Sequence, residues 1–385
     1  MKILSVCTNF PTAEAPHRGL FVARRLSEMA KRVDLRALNP EPWFPVVRPW
    51  ESAHAKPDNP LPVDVRKMFY FPKYAKGLDS FWMDRCVLRW FREIGEEATR
   101  GAILDAHFGY PEGVGCARLA KRLGMPCFIT IRGLEVDRFQ VPNIKSQLVE
   151  SLTHCTGTIA VSDSLRDAAI DAGVPDENIT VIPNGIDGDL FCVGDRNTAR
   201  MELQQSTDRP LVVCVANFKA VKGHEILMRA FAKLPRKLES RLVLIGAPSD
   251  ANVVQHIDHL VESLGISGYV NKIGSRSPDE VAKWLQAADV FALASHREGC
   301  CNAVLEALAT GTPVVATAVG SNPQEIRHAI DGFVVPVGDS DAFGEALQTA
   351  LERDWNSEQI SSRLTGRTWA GVADRVLQFM DSRIR

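Results

Sequence analysis

Val290-Phe-Ala-Leu-Ala294, Ser295-His-Arg-Glu298-Gly-Cys-Cys-Asn302, Ala303-Val-Leu-Glu306-Ala-Leu-Ala309 and Thr310-Gly-Thr-Pro-Val314-Val-Ala316 follow one another without a break. The first run is short, apolar throughout and closed by polar residues, as expected for a strand buried on both faces. The third has helical length and composition, Gly311 and Pro313 interrupt it, and a second apolar run follows at Val314. Strand, loop, helix, turn and strand in that order make a βαβ unit, which requires a parallel sheet.

The same alternation extends in both directions. Ahead of this unit the apolar runs Leu211–Val215, Leu242–Ile245 and Val270–Ile273 read as strands, and Phe333–Val335 follows it, with helical stretches in the gaps. A separate series precedes these. It holds strands at Lys2–Val6, Leu35–Leu38, Ala102–Ala106, Cys127–Ile131, Thr158–Val161 and Ile179–Ile182. Its helices are expected near Leu20–Lys31, after Asp79, near Val114–Leu123 and near Ile144–Leu152. Residues 40–63, rich in Pro and Trp, read as a long surface excursion. The polar stretch from Gly194 to Arg209 reads as a bridge, and Trp369–Ile384 has helical periodicity with no strand after it. At 385 residues, two cores are expected. The expected fold is therefore α/β with two facing Rossmann-like domains, at 1–190 and 205–365. A C-terminal helix at 366–385 should pack back on the first domain.

The composition, 45% apolar and 24% charged with a net charge of −2, is that of a globular protein and points to no nucleic-acid partner. Residues 1–150 carry about six more bases than acids, and the remainder about eight more acids than bases. Nine cysteines, none at C-x-x-C spacing, suggest a reducing compartment rather than a disulfide framework. The apolar run at the first residues is too short for a signal peptide, and none reaches the roughly 20 residues needed to cross a bilayer. The expectation is a cytoplasmic protein with peripheral contact at the inner face of the membrane. The segment Arg66-Lys-Met-Phe-Tyr-Phe-Pro-Lys-Tyr-Ala-Lys76 mixes bases and aromatics, which suits such contact.

The chemistry is expected between Ser295 and Pro323. Glu298 lies in the loop after a strand, and Glu306 lies in the next helix among Leu305 and Ala307, where an idle acid is poorly placed. The backbone N–H groups near Cys301 to Ala303 open that helix and suit a diphosphate. Carboxylates beside such a site suit sugar hydroxyls, which are good donors to ionised oxygens.

The block from Glu298 to Thr317, with Gly320 and Glu325-Ile326, resembles the donor-binding signature of the family-4 retaining glycosyltransferases of GT-B fold. Further matches lie at Val215-Ala-Asn-Phe-Lys-Ala-Val-Lys222-Gly-His, Ile182-Pro-Asn-Gly-Ile-Asp187, Ala160-Val-Ser162, Asp105-Ala-His107 through Gly113, Thr130-Ile-Arg-Gly133 and the Arg18-Gly19 loop. The flavour is of the branch that builds bacterial exopolysaccharide, capsule or lipopolysaccharide.

The resemblance implies that Glu306 holds the donor ribose. Glu298 would hold the transferred sugar, with the amides of Gly299, Cys300, Cys301 and Asn302, and Lys222 would sit on the diphosphate. Gly19 would let its loop approach the phosphates. It also implies a retaining, metal-independent transfer from a nucleotide-diphosphate sugar, with no other cofactor, to a glycan or polyprenyl-linked acceptor. Catalytic roles fall to Glu298, Lys222 and Arg132, and acceptor-side roles to His107 and Glu135, with Asp137 weighed beside the latter. Several positions depart from the family, among them Cys300 and Cys301, which stand where aromatic, Gly or Pro residues are common and read as small pocket-lining residues. Asn217 stands where many relatives have an Arg, with Lys219 nearby. Arg132 stands where a His is common, and it cannot exchange a proton at neutral pH. A sugar-nucleotide epimerase of the same fold and a non-catalytic sugar-nucleotide-binding protein are the rival readings.

Overall fold

The computed structural model describes residues 1–12, 18–45, 61–72, 74–235 and 239–384. Chain packing divides it into two compact units, Met1–Gly185 with Trp369–Arg385, and Ile186–Thr368. Each unit is a doubly wound parallel sheet.

In the first unit the strands are β1 (Lys2–Val6), β2 (Asp34–Trp43), β3 (Val63–Phe69), β4 (Ile103–His107), β5 (Cys127–Ile131), β6 (Gly157–Ala160) and β7 (Ile179–Val181). They lie in the order β3-β2-β1-β4-β5-β6-β7, parallel throughout. The order reverses between β1 and β4, which opens a crevice at the carboxyl ends of those two strands. Residues in β4 and β5 are buried without exception, including the polar side chains of Asp105, His107 and Thr130.

The expected excursion over 40–63 is corrected at both ends. β2 runs on to Trp43 and pairs with β3, a strand absent from the sequence reading. Pro40 and Pro42 ought to end a strand, yet β2 accommodates them for a geometric reason. Even-numbered residues of β2 face β1, as the bond from Cys7 N to Leu38 O shows, and odd-numbered ones face β3, as Ala37 N to Pro62 O shows. β1 stops at Val6, opposite Leu38. The N–H groups that Pro40 and Pro42 lack would have had no ladder partner. The middle of the excursion, residues 46–60, lies outside the described residues, as do Pro16 and Lys73.

The C-terminal helix Trp369–Ile384 packs back on this unit, as expected. Trp369, Val372, Ala373, Val376 and Met380 join the core with Val22, Leu26 and Met29 of the helix Leu20–Ala30. Arg32 clamps Asp374 at 2.6 Å, and Phe379 meets Phe128 edge-on at 5.8 Å.

The second unit holds β8 (Leu211–Val215), β9 (Arg241–Ile245), β10 (Val270–Gly274), β11 (Val290–Leu293), β12 (Val314–Thr317) and β13 (Gly332–Val335). Their order is β10-β9-β8-β11-β12-β13, parallel throughout, with the reversal between β8 and β11. The stretch read as a bridge contains the helix Arg196–Glu202, capped by Asp195 and belonging to this unit. Its Arg200 is buried, donates to Ala287 O at 2.9 Å and pairs with Asp289. Among the described residues no helix is long and apolar enough to cross a membrane.

Candidate active site

The crevice of the second unit is built from the loops after β8, β11 and β12. After β8 the chain turns at Gly223, whose φ of +61 lies in the left-handed region that a side chain disfavours. A Cβ there would lie 1.8 Å from Ala294 O, so only glycine lets this turn lie against the end of β11. His296 N donates to Val221 O at 2.8 Å and joins the two loops.

This junction sets Lys222 opposite Glu298. The ammonium donates to both carboxylate oxygens, 2.6 Å to Oε1 and 2.9 Å to Oε2, and Ser295 Oγ donates to Oε1 at 2.6 Å. The two side chains are 24% and 10% exposed, so the pair is largely withdrawn from water yet open on one side. Burial works to lower the Lys222 pKa, but the adjacent Glu298 carboxylate outweighs it and the net direction is upward. Lys222 is a permanent cation here.

The loop after β12 closes the third side. Thr317 Oγ1 donates to Ser295 O at 2.5 Å, and Ser321 N donates to Gly299 O at 3.0 Å. Gly320, with φ +55, sits so close to Glu298 O and Gly299 O that a Cβ would fall 2.6–2.7 Å from them. The helix Asn302–Ala309 begins beside this point, with Cys301 as its N-cap and no side-chain cap bond. A cation, a carboxylate and a helix N-terminus thus converge at one topological switch point, an arrangement suited to a charged, hydroxyl-bearing ligand.

Other expected residues lie around this centre. Glu306 is on the second turn of that helix and half-buried. Cys301 is buried, and burial first, then Glu298, pushes its thiol far above the usual range, which makes it a packing residue rather than a nucleophile. Cys300 packs half-buried on the same core, and all nine cysteines are free. Asn217 is exposed, and its Oδ1 accepts from Ala247 N at 2.9 Å, so that oxygen shapes the turn after β9. Lys219 is exposed beside it.

The remaining expected residues belong to the first unit. Gly19, φ +62, caps the helix Leu20–Ala30, and a Cβ there would lie 1.8 Å from Asn9 O. His107 and Arg132 meet at the ends of β4 and β5, with Arg132 Nη2 3.1 Å from His107 Nδ1 and Arg132 Nη1 donating to Asn184 Oδ1 at 3.2 Å. Behind them His107 Nε2 lies 3.0 Å from Asp105 Oδ2, which also accepts from Ser5 Oγ at 3.0 Å. Glu135 is buried, and its carboxylate gathers the N–H groups of Gly109 at 2.7 Å, Arg132 at 3.0 Å and Gly133 at 2.8 Å. It braces the turn that presents Arg132. Asp137 follows in the short helix Glu135–Arg138.

Sequence reasoning missed Ser295, Arg25 and Glu112. Arg25 sits in an amphipathic helix, where an arginine reads as solvated. It is 2% exposed and donates to Thr130 Oγ1 at 3.0 Å, with Asp105 at 3.6 Å. Glu112 is buried and accepts from both Thr8 N, at 3.2 Å, and the Thr8 hydroxyl. Among the described residues no three His, Cys, Asp or Glu side chains gather as metal ligands would.

A family model for glycosyl transferases group 1 matches residues 195–364, and one for Glycosyltransferase Family 4 matches residues 10–190. N-acetyl-alpha-D-glucosaminyl L-malate synthase of Bacillus anthracis is 28% identical over 300 residues, 76% of this chain and 74% of that protein. D-inositol 3-phosphate glycosyltransferase of Mycolicibacterium paratuberculosis is 36% identical over 206 residues, 52% of this chain. The chain spans about half the length of such inositol-phosphate relatives. Among solved structures, Anabaena HepE in complex with UDP superposes with a TM-score of 0.78 at 19% identity, covering 99% of this chain and 100% of that one. Sucrose-phosphate synthase of Thermosynechococcus elongatus gives 0.81 at 19% identity, covering 99% of each. The solved structures share the GT-B fold over nearly the whole chain, and with one family model on each parallel-sheet unit the protein belongs to the family-4, group 1 glycosyltransferases.

Proposed function

We propose that the protein moves a sugar from a nucleotide-diphosphate donor to a glycan or polyprenyl-linked acceptor, with retention of anomeric configuration and without a metal ion. The observation that carries this reading is the Lys222–Glu298 pair beside the N-terminus of the helix Asn302–Ala309. As a glycosidic bond to a diphosphate breaks, negative charge grows on the departing group, and a fixed cation with a helix N-terminus stabilises that charge where it forms. In this reading Lys222 meets the diphosphate and Glu298 accepts from hydroxyls of the transferred sugar. Glu306 accepts from the ribose, and the amides of Gly299 to Asn302 line the phosphates. Catalysis rests on positioning and electrostatics, with the leaving group taking the acceptor proton during same-face attack.

Arg132 is assigned to an anionic group, a carboxylate or phosphate on the acceptor or donor sugar. Its planar fork suits such groups, and two relatives are named for transfer involving L-malate and D-inositol 3-phosphate. The nine free cysteines support a reducing, cytoplasmic setting. A lipid-linked acceptor would bring the protein to the inner face of the membrane.

The deciding experiment is a thermal-shift screen with UDP, GDP, ADP and their sugar conjugates, repeated on Glu306→Ala. A ligand at a hundredfold over its Kd adds about 2.7 kcal/mol to the native state. One nucleotide should shift the wild type and leave the variant unmoved. Transfer with that donor should survive EDTA and give a product whose anomeric coupling matches the donor's. Turnover of donor without acceptor would indicate an epimerase, and binding without turnover across an acceptor panel would indicate a non-catalytic binder.

A further inference from the structure

His107 is fully buried at the end of β4, and both of its ring nitrogens are engaged. A guanidinium has donors only, so the contact between Arg132 Nη2 and His107 Nδ1 requires a lone pair on Nδ1. The ring proton must then sit on Nε2, where it points at Asp105 Oδ2, 3.0 Å away. One tautomer of a neutral imidazole satisfies both contacts, and a protonated ring would set an N–H against an N–H.

The anchor is itself fixed from several directions. Asp105 Oδ2 also accepts from Ser5 Oγ of β1, and Arg25 faces Oδ1 at 3.6 Å while donating to Thr130 of β5. Burial, more than the opposing pull of Asp105, lowers the His107 pKa to about 4, and the charges of Arg25 and Arg132 add to that direction. No nitrogen of this ring is left to take a proton from a substrate.

We infer that His107 is a positioning residue that holds the Arg132 guanidinium in place from Asp105, rather than a group that touches the acceptor. Its ring transmits the fixed position of Asp105 to the cation assigned above to a carboxylate or phosphate on the acceptor or donor sugar. The inference rests on the role of Arg132 given above, and it makes His107 a determinant of preference for anionic substrates. Glutamine can accept from Arg132 through its oxygen and donate to Asp105 through its nitrogen, whereas leucine can do neither.

Two measurements on the full chain test this. The first is histidine 15N NMR between pH 5 and 8, with the His107 signal assigned by its loss in His107→Gln. A single neutral tautomer protonated at Nε2 and unchanged across that range is expected. Protonation at Nδ1, or titration within the range, overturns the inference. The second compares KM and kcat with L-malate and D-inositol 3-phosphate as anionic probe acceptors and myo-inositol as a neutral one. Loss of one charged hydrogen bond corresponds to about tenfold. His107→Leu should therefore raise KM about tenfold for an anionic acceptor the wild type uses, with kcat little changed, and His107→Gln should recover most of the loss. An unchanged KM in His107→Leu overturns it. If the wild type transfers to none of these probes and to no other acceptor, the transferase reading fails, and the NMR result still decides the tautomer and the anchoring of Arg132.

Discussion

The Lys222 ammonium lies on both carboxylate oxygens of Glu298, although 76 residues separate the two in the chain. The pairing gives each side chain a counter-charge in a site that is mostly closed to water, and it fixes the direction in which the lysine presents its remaining donor capacity. Lys219, three residues earlier, is exposed at the surface of the same turn. Hydrogen bonds to charged groups contribute about 1.5–3 kcal/mol. Lys222→Ala is therefore expected to weaken nucleotide-diphosphate binding by roughly 10- to 100-fold, at 1.4 kcal/mol per factor of ten. Lys219→Ala should change it by less than about threefold, as for an exposed, screened charge. Calorimetric titration of the nucleotide found in the thermal screen checks both, and equal losses would remove Lys222 from the donor site.

The turn that carries Lys222 depends on a missing side chain. A Cβ on Gly223 would fall 1.8 Å from Ala294 O, a backbone atom that cannot swing aside, whereas Gly265, with φ +66, has nothing within 4 Å of its own notional Cβ. Left-handed backbone alone costs a non-glycine residue about 1–2 kcal/mol. Gly265→Ala should lose about that much. Gly223→Ala should lose that and about 1 kcal/mol or more besides, through the bond from His296 N to Val221 O that holds the two loops together. Urea midpoints of the two variants measure the difference. Gly223→Ala should also weaken nucleotide binding, because Lys222 moves with the turn, and Gly265→Ala should not.

Most strands were legible because each lies inside a parallel sheet. Leu211–Val215 and Val314–Ala316 are unbroken apolar runs and Cys127–Ile131 is interrupted only by Thr130, each opened by a proline, and the structure places β8, β12 and β5 there within a residue. β3 escaped notice because Val-Asp-Val-Arg-Lys-Met-Phe is an edge strand with only Met68 fully buried, so no apolar run marks it. The loop positions of Lys222 and Glu298 were readable from local spacing and family likeness. Their bond to each other was not, since it follows from β8 and β11 lying side by side. Arg25 was hidden for a related reason. Helical periodicity places its position toward the sheet, but only the fold supplies the Asp105 and Thr130 that make a buried arginine tolerable.

The first unit holds two buried groups whose protonation opposes each other. Burial lowers His107 from 6.5 to about 4, so the folded state keeps it neutral where the unfolded chain would protonate it. Burial raises Glu112 from 4.5 to about 7, against the bonds from Thr8, so the folded state keeps its proton where the unfolded chain would release it. The stability associated with neutral His107 is complete above about pH 6.5 and is lost as pH falls toward 4. The stability associated with protonated Glu112 is complete below about 4.5 and is lost as pH rises toward 7. Between pH 4.5 and 6.5 each contributes a slope of about 1.4 kcal/mol per pH unit, with opposite signs, and together they nearly cancel. Glu112→Gln should remove one slope, so the variant should lose stability on acidification relative to the wild type by about that amount per unit. His107→Gln should shift the balance the other way and gain relative stability as pH falls through the same window. Hydrogen exchange of the buried β4 and β5 amides at pH 4.5, 5.5 and 6.5, corrected for intrinsic rates, measures both. Parallel pH profiles for wild type and Glu112→Gln would mean that Glu112 is ionised in the folded protein.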